Sequence, residues 1–198
     1  LVALGHHVDV VVLGEPEDSW IEAELRQAGV AIHHLGKGPG FEARVVIELA
    51  RTLRRLEPDV VHTHLHVLKY LLPGSPPYRW RRVVHTLHNL AQNEAVASDQ
   101  RLQQLAFRTG VVPVAIGDAV AESFEEVYGF AVPWCIANGI PVRDFQRGDA
   151  VRARLRAELG LGDAPTFVVV GRLNEQKNHA LLLRAFADPR LSGARLLV

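Results

Sequence analysis

Two sets of side chains in this 198-residue sequence have the types and spacing to do chemistry. The first is Arg172 and Lys177, inside FVVVGRLNEQKNHALLLRAFA at residues 167–187. The β-branched run 167–170 suits a strand buried on both faces. Gly171 ends it, and Asn178 offers a helix N-cap before the apolar repeat Leu181, Leu182, Ala185, Phe186. Arg172 and Lys177 then lie in a strand-to-helix turn at the carboxyl end of the strand, the edge where open α/β sheets bind ligands. A helix N-terminus favours anions, because its first N–H groups are unpaired and its dipole is positive there. Two cations beside such a terminus suit a phosphate or diphosphate, and equally suit a solvated loop.

The second set is the histidines. In VVHTHLH, residues 60–66, His62, His64 and His66 alternate at the end of a strand. In an extended chain all three point to one face. Histidine ligates zinc-type ions, but a metal-dependent hydrolase would need carboxylates or histidines from other strands, and no such set stands out. His88, in VVHTLHNL at 83–90, falls just past another strand at the ligand-binding edge. It reads either as a ligand contact or as a satisfied histidine at a strand terminus. His85 is internal to that strand and reads as packed.

The elements that must position these groups follow a regular order. The pattern predicts strands over 8–13, 30–34, 59–63, 82–87, 112–116 and 134–137, and helices over 20–28, 41–56, 98–109 and 118–128. Val45, Val46, Leu49, Leu53 and Leu56 share one face of the second helix. Asp118 is the N-cap candidate of the fourth. A loop is expected around 73–77. Strands alternating with helices imply right-handed crossovers and a parallel, doubly wound sheet. Asn138-Gly139 and Pro141 mark a boundary, after which a charged helix begins near Ala150. We therefore expect one α/β domain over 1–140 and the start of a second over 141–198. Gly36, Gly38 and Gly40 lack both the GK[ST] ending of a P-loop and GxGxxG spacing, and form a turn before a helix.

Composition narrows the class. Lys+Arg 22 against Asp+Glu 22 leaves no net field, which disfavours a nucleic-acid binder. The single cysteine, Cys135, cannot form an intrachain disulfide, which suits a reducing compartment. No apolar run approaches a membrane span, and no signal peptide opens the chain. The sequence contains no Met and opens in mid-pattern, as a fragment would. A local basic bias runs from Arg51 to Arg82, through Arg54, Arg55, Lys69, Arg79 and Arg81, with Tyr78 and Trp80 interleaved. Such a stretch suits either an anionic membrane surface or a solvated face.

The string GRL-x-x-x-KN followed by L-x-x-AF resembles the donor-site signature of the GT-B glycosyltransferases of family 4, the glycogen-synthase-like group. VVHTLHNL at 83–90, with Thr86-Leu87-His88, resembles that family's T-x-H segment. IANGIPVRDF at 136–145 resembles its I-P-N-G-I-D…F hinge, matching at Asn138, Gly139 and Phe145 and departing at Ala137 and Pro141. VAIGDAV resembles its strand–S-D/E-x-V segment, with Gly117 in place of the serine.

The resemblance implies a Rossmann-like acceptor-side domain lacking its first strand, then a truncated donor-side domain. It implies a retaining enzyme moving a hexose from a nucleotide diphosphate sugar to a glycan or lipid-linked acceptor, as in cell-surface polysaccharide synthesis. Arg172, Lys177 and Gly171 would hold the donor diphosphate, and His88 would lie close to the transferred sugar. His62, His64, Asn89, Glu94, Asn138 and Gly139 are implied acceptor or cleft contacts. No cofactor and no metal are implied, and the location is cytoplasmic, peripheral at the inner membrane face. Three rivals stand beside this reading. A GT-B nucleotide-sugar 2-epimerase shares the architecture but not the GRL-x-x-x-K string. A metal-dependent hydrolase would use His62, His64 and His66, and a bare acceptor-binding module would do no chemistry.

Overall fold

The computed structural model describes residues 1–17, 19–76, 82–146 and 148–198. Tyr78, Arg79, Trp80 and Arg81 of the basic stretch lie outside the described residues. The chain divides into two compact units, Leu1–Gly139 and Ile140–Val198.

The first unit alternates strand and helix: β1 (Asp9–Val12), α1 (Trp20–Gln27), β2 (Ala31–His34), α2 (Ala43–Leu56), β3 (Val61–His64), α3 (Leu68–Leu71), β4 (Val83–Leu87), α4 (Ala91–Glu94), α5 (Ala97–Thr109), β5 (Val112–Ala115), α6 (Asp118–Tyr128) and β6 (Trp134–Cys135). Every strand pairing is parallel. β1 pairs with β2, and β3, β4, β5 and β6 form a four-stranded sheet in that order. Parallel pairing requires crossovers that cover the sheet, and the helices supply them.

The core lies between the sheet and helices α2, α3, α5 and α6. Val45 and Leu49 of α2, Leu68 and Leu71 of α3, Leu87 of β4, and Phe107, Phe124 and Tyr128 are all buried in one cluster. Phe107, Phe124 and Tyr128 contact one another in pairs, with ring centroids 4.6 to 5.3 Å apart. Such tilted and edge-on aromatic pairs add to the burial term.

Several elements differ from the sequence pattern for identifiable reasons. α2 begins at Ala43 rather than Phe41, because Glu42 takes the extended N-cap conformation and accepts a hydrogen bond from the Gly38 amide at 2.6 Å. Phe41, left outside the helix, stacks on Tyr70 with centroids 5.2 Å apart. β3 begins at Val61, because Glu57 closes α2 in a left-handed conformation (φ 46°) and Pro58 follows it. The loop expected around 73–77 opens in a 3-10 turn, Leu72–Gly74, that follows the buried α3, and Pro77 lies outside the described residues. Gly117, not Asp118, caps α6, and Asp118 is its first helical residue. An acidic side chain in that first turn still favours the helix through its dipole.

The second unit contains α7 (Asp149–Glu158), β7 (Thr166–Val168), α8 (His179–Phe186) and β8 (Arg195–Leu197), with β7 and β8 parallel. β7 is shorter than the apolar run suggested. Val169 still donates to the Leu197 carbonyl at 2.9 Å, but Val170 is exposed.

Candidate active site

β3 and β4 carry the histidines to the carboxyl edge of the four-stranded sheet. Their register sets His62 beside Val84, Thr63 beside His85, and His64 beside Thr86. Because side chains alternate, each strand shows two chemistries. On the covered face, Thr63 Oγ1 and His85 Nδ1 lie 2.9 Å apart, with both residues buried. On the other face, His62 Nε2 is 2.7 Å from Thr86 Oγ1, and His64 Nδ1 is 2.8 Å from His88 Nε2. The rings of His62 and His64 are 4.3 Å apart and those of His64 and His88 5.1 Å apart. A line of Thr86, His62, His64 and His88 results. His62 and His64 are exposed and His88 is half-buried.

The expected third member of the β3 alternation is not on that line. After His64 the chain leaves the extended conformation: Leu65 has φ 56°, and Leu65–Val67 is a 3-10 turn. His66 therefore falls outside the strand. Among the described residues, no group of three or more His, Cys, Asp or Glu side chains is arranged to hold a metal ion. The described residues therefore do not supply the ligand set that the metal-dependent hydrolase required.

Loss of water and then neighbouring charge push three of these imidazoles down. His62 sits below the ordinary imidazole range, first through loss of surrounding water and then through His88. His64 sits below it through the same loss of water, then His62 and His88. His85, fully buried, is pushed down to about 3 by burial, with His64, His62, His88 and His66 adding to the effect. Neutral imidazoles offer one donor and one acceptor each, the equipment for holding hydroxyl groups.

The turn after β4 is fixed from below. Glu94 is fully buried, and its Oε2 accepts from both the backbone and the side-chain amide of Asn89, each at 3.2 Å. Glu94 was expected as an acceptor contact. Its burial removes it from that role, and it instead braces the loop that carries His88. Asn89 is half-buried and spends its amide on this brace. Asn138 and Gly139 are exposed just past β6.

In the second unit Gly171 follows the strand edge and Lys177 folds back over it: a β-carbon at Gly171 would meet Lys177 Cγ at 3.4 Å. Asn174 caps the short turn Glu175–Lys177, accepting from the Lys177 amide at 3.1 Å. Asn178, with φ 46°, caps α8 by accepting from the Leu181 amide at 3.2 Å. Arg172 and Lys177 are both exposed in this strand-to-helix turn. Thr63 and Thr86 were missed by the sequence reading. Their signal was the paired H-T-H and H-T-L-H strings, which become informative only once the β3–β4 register is known.

A parallel α/β unit with polar side chains gathered at its carboxyl edge has a Rossmann-like fold, and in such sheets that edge is where ligands bind. Residues 1–144 match Glycosyltransferase Family 4, and the chain belongs to that family. Two solved structures share the fold. HepE of Anabaena, crystallised in complex with UDP and glucose, has 19% identity and a TM-score of 0.67 over 90% of this chain and 49% of HepE. A glycosyltransferase of Rickettsia africae has 15% identity and a TM-score of 0.68, over 93% of this chain and 50% of that one. The chain thus spans about half the length of the structures it matches. No curated protein matches it.

Proposed function

We propose that the full-length protein transfers a hexose from a nucleotide diphosphate sugar to a glycan or lipid-linked acceptor, with retention at the anomeric carbon. The observation that carries this reading is the histidine edge of β3 and β4, set in a region that belongs to Glycosyltransferase Family 4. The UDP and glucose bound by HepE support a nucleotide-sugar donor. In this reading residues 1–140 form the acceptor-side domain and 141–198 begin the donor-side domain. His88 donates a hydrogen bond to a hydroxyl of the transferred sugar and fixes its orientation. Arg172 and Lys177 neutralise the departing diphosphate, and Gly171 leaves room for its approach. Stabilising charge as it develops is the largest single catalytic effect in most enzymes. His62, Asn138 and Gly139 are cleft or acceptor contacts. The two cations carry the leaving-group charge, so the reading calls for no metal and no other cofactor.

Peripheral attachment to an anionic, inner membrane face belongs to the same proposal. Arg51, Arg54 and Arg55 are exposed toward the end of α2. Among the described residues no helix is long and apolar enough to cross a membrane.

Calorimetric titration of the full-length protein with UDP-glucose and other nucleotide sugars tests the donor site. Neutralising Arg172 and Lys177 together to Ala should weaken binding about a hundredfold or more, the worth of two charge-assisted contacts. Undiminished binding would overturn the donor assignment. An epimerised donor with no acceptor product would overturn transfer itself.

A further inference from the structure

We infer that His64 is a positioning residue that selects the tautomer of His88, so that the nitrogen His88 presents to substrate is Nδ1 carrying a proton. The inference rests on the reading that His88 donates to the transferred sugar, and it deepens that reading.

The geometry leaves His88 one free nitrogen. Its Nε2 is 2.8 Å from Nδ1 of His64, a contact between two ring nitrogens that holds a single proton. Only Nδ1 of His88 remains for a ligand. If His88 is to donate from Nδ1 while neutral, its Nε2 must be a bare acceptor. The shared proton then belongs to Nδ1 of His64, which donates it. Which nitrogen of an imidazole is protonated is set by the bond made at the other one. Loss of water, then His62 and His88, hold His64 below its ordinary range, which favours its neutral form.

His64 can impose this choice because it is itself held. It ends a strand, a more rigid support than a loop. Its ring lies 4.3 Å from that of His62, and His62 is tied to Thr86 at 2.7 Å on the neighbouring strand. His88, by contrast, sits in the turn after β4. The direction of control runs from the strand to the turn. His64, implied by the family resemblance as a cleft or acceptor contact, is thereby given a role behind the reacting group.

The test reads the tautomer directly. Two-bond nitrogen–proton correlation spectra of the 15N-histidine-labelled chain, at about pH 8 where imidazoles are neutral, distinguish protonated from bare ring nitrogens. In the wild type, His88 should show a protonated Nδ1 and a bare Nε2. In His64→Ala, His88 should shift toward the form protonated at Nε2. In His64→Asn the side-chain amide reaches the position of Nδ1 and donates, so the wild-type pattern should return. In the full-length enzyme, His64→Ala should lower kcat about tenfold with KM for the nucleotide sugar changed less than about twofold, and His64→Asn should recover most of the loss. A wild-type His88 protonated at Nε2, or a pattern indifferent to His64→Ala, would overturn the inference. Full-length enzyme that transfers no sugar while the tautomer responds as expected would sink the glycosyl-transfer reading and leave the histidine pair standing.

Discussion

Replacing His85 by Gln should flatten the acid side of the stability profile of the first unit. His85 is fully buried in β4, its Nδ1 bonded to Thr63 and its ring 6.0 Å from that of Phe107. Its Nε2 has no hydrogen-bond partner among the described residues, so a second proton would arrive unsolvated. Burial holds the folded-state pKa at about 3, against 6.5 when the chain is unfolded. Because the folded value is the lower one, the unfolded chain takes up protons first, and stability falls as pH drops below about 6.5. Above that pH the group contributes nothing. At pH 5 the penalty is about 2 kcal/mol, and at pH 3 it is about 4 kcal/mol, at 1.36 kcal/mol per unit. Glutamine keeps a polar group near Thr63 and cannot ionise. Amide hydrogen exchange of β3, β4 and β5 in urea, all within Leu1–Gly139, follows the first unit. The difference in unfolding free energy between wild type and His85→Gln should change by about 2 kcal/mol between pH 7 and pH 5, whatever the fixed offset between them. Parallel profiles would refute the argument, and a wild type that gains on Gln with acid would reverse its sign.

Two further outcomes bear on function. His88→Ala in the full-length enzyme should lower kcat about a hundredfold or more while leaving the circular dichroism unchanged, and wild-type turnover would remove His88 from the chemistry. Replacing Arg51, Arg54 and Arg55 together by Ala should lower partition onto phosphatidylserine vesicles about a hundredfold, at about 1 kcal/mol per basic residue. Equal partition of wild type and variant would reject the membrane face.

Much of the fold was legible because parallel α/β proteins announce themselves through alternation. The apolar face of α2 followed from periodicity, and α6 was placed through a capping candidate one residue from the actual cap. Boundaries were harder where a single residue switched conformation: nothing in Glu57 signals a left-handed cap, and nothing in Leu65 signals the end of a strand. For that reason the histidine string read as three groups on one face, whereas the chain delivers two. His88 was singled out by its place after a strand together with the family resemblance, because the strand position alone left two readings open. The Thr86–His62 and His64–His88 contacts were not, because they depend on the register between strands separated by about twenty residues of sequence. Glu94 illustrates the same limit from the other side. A carboxylate in a loop-like string suggested solvent, and only packing of α4 against α6 reveals that it is enclosed.

Leu65 also decides how far the polar row at the sheet's edge can extend. A left-handed backbone costs a residue with a β-carbon about 1–2 kcal/mol, and a side chain that is 47% exposed returns little of it. The tension is sustained by the anchors just downstream, Leu68, Tyr70 and Leu71, which are sunk in the interior. A glycine here would make a loose pivot. A leucine makes the chain's departure a fixed corner, so His66 is not drawn back into line by a small slide of the strand, and the row ends at His64.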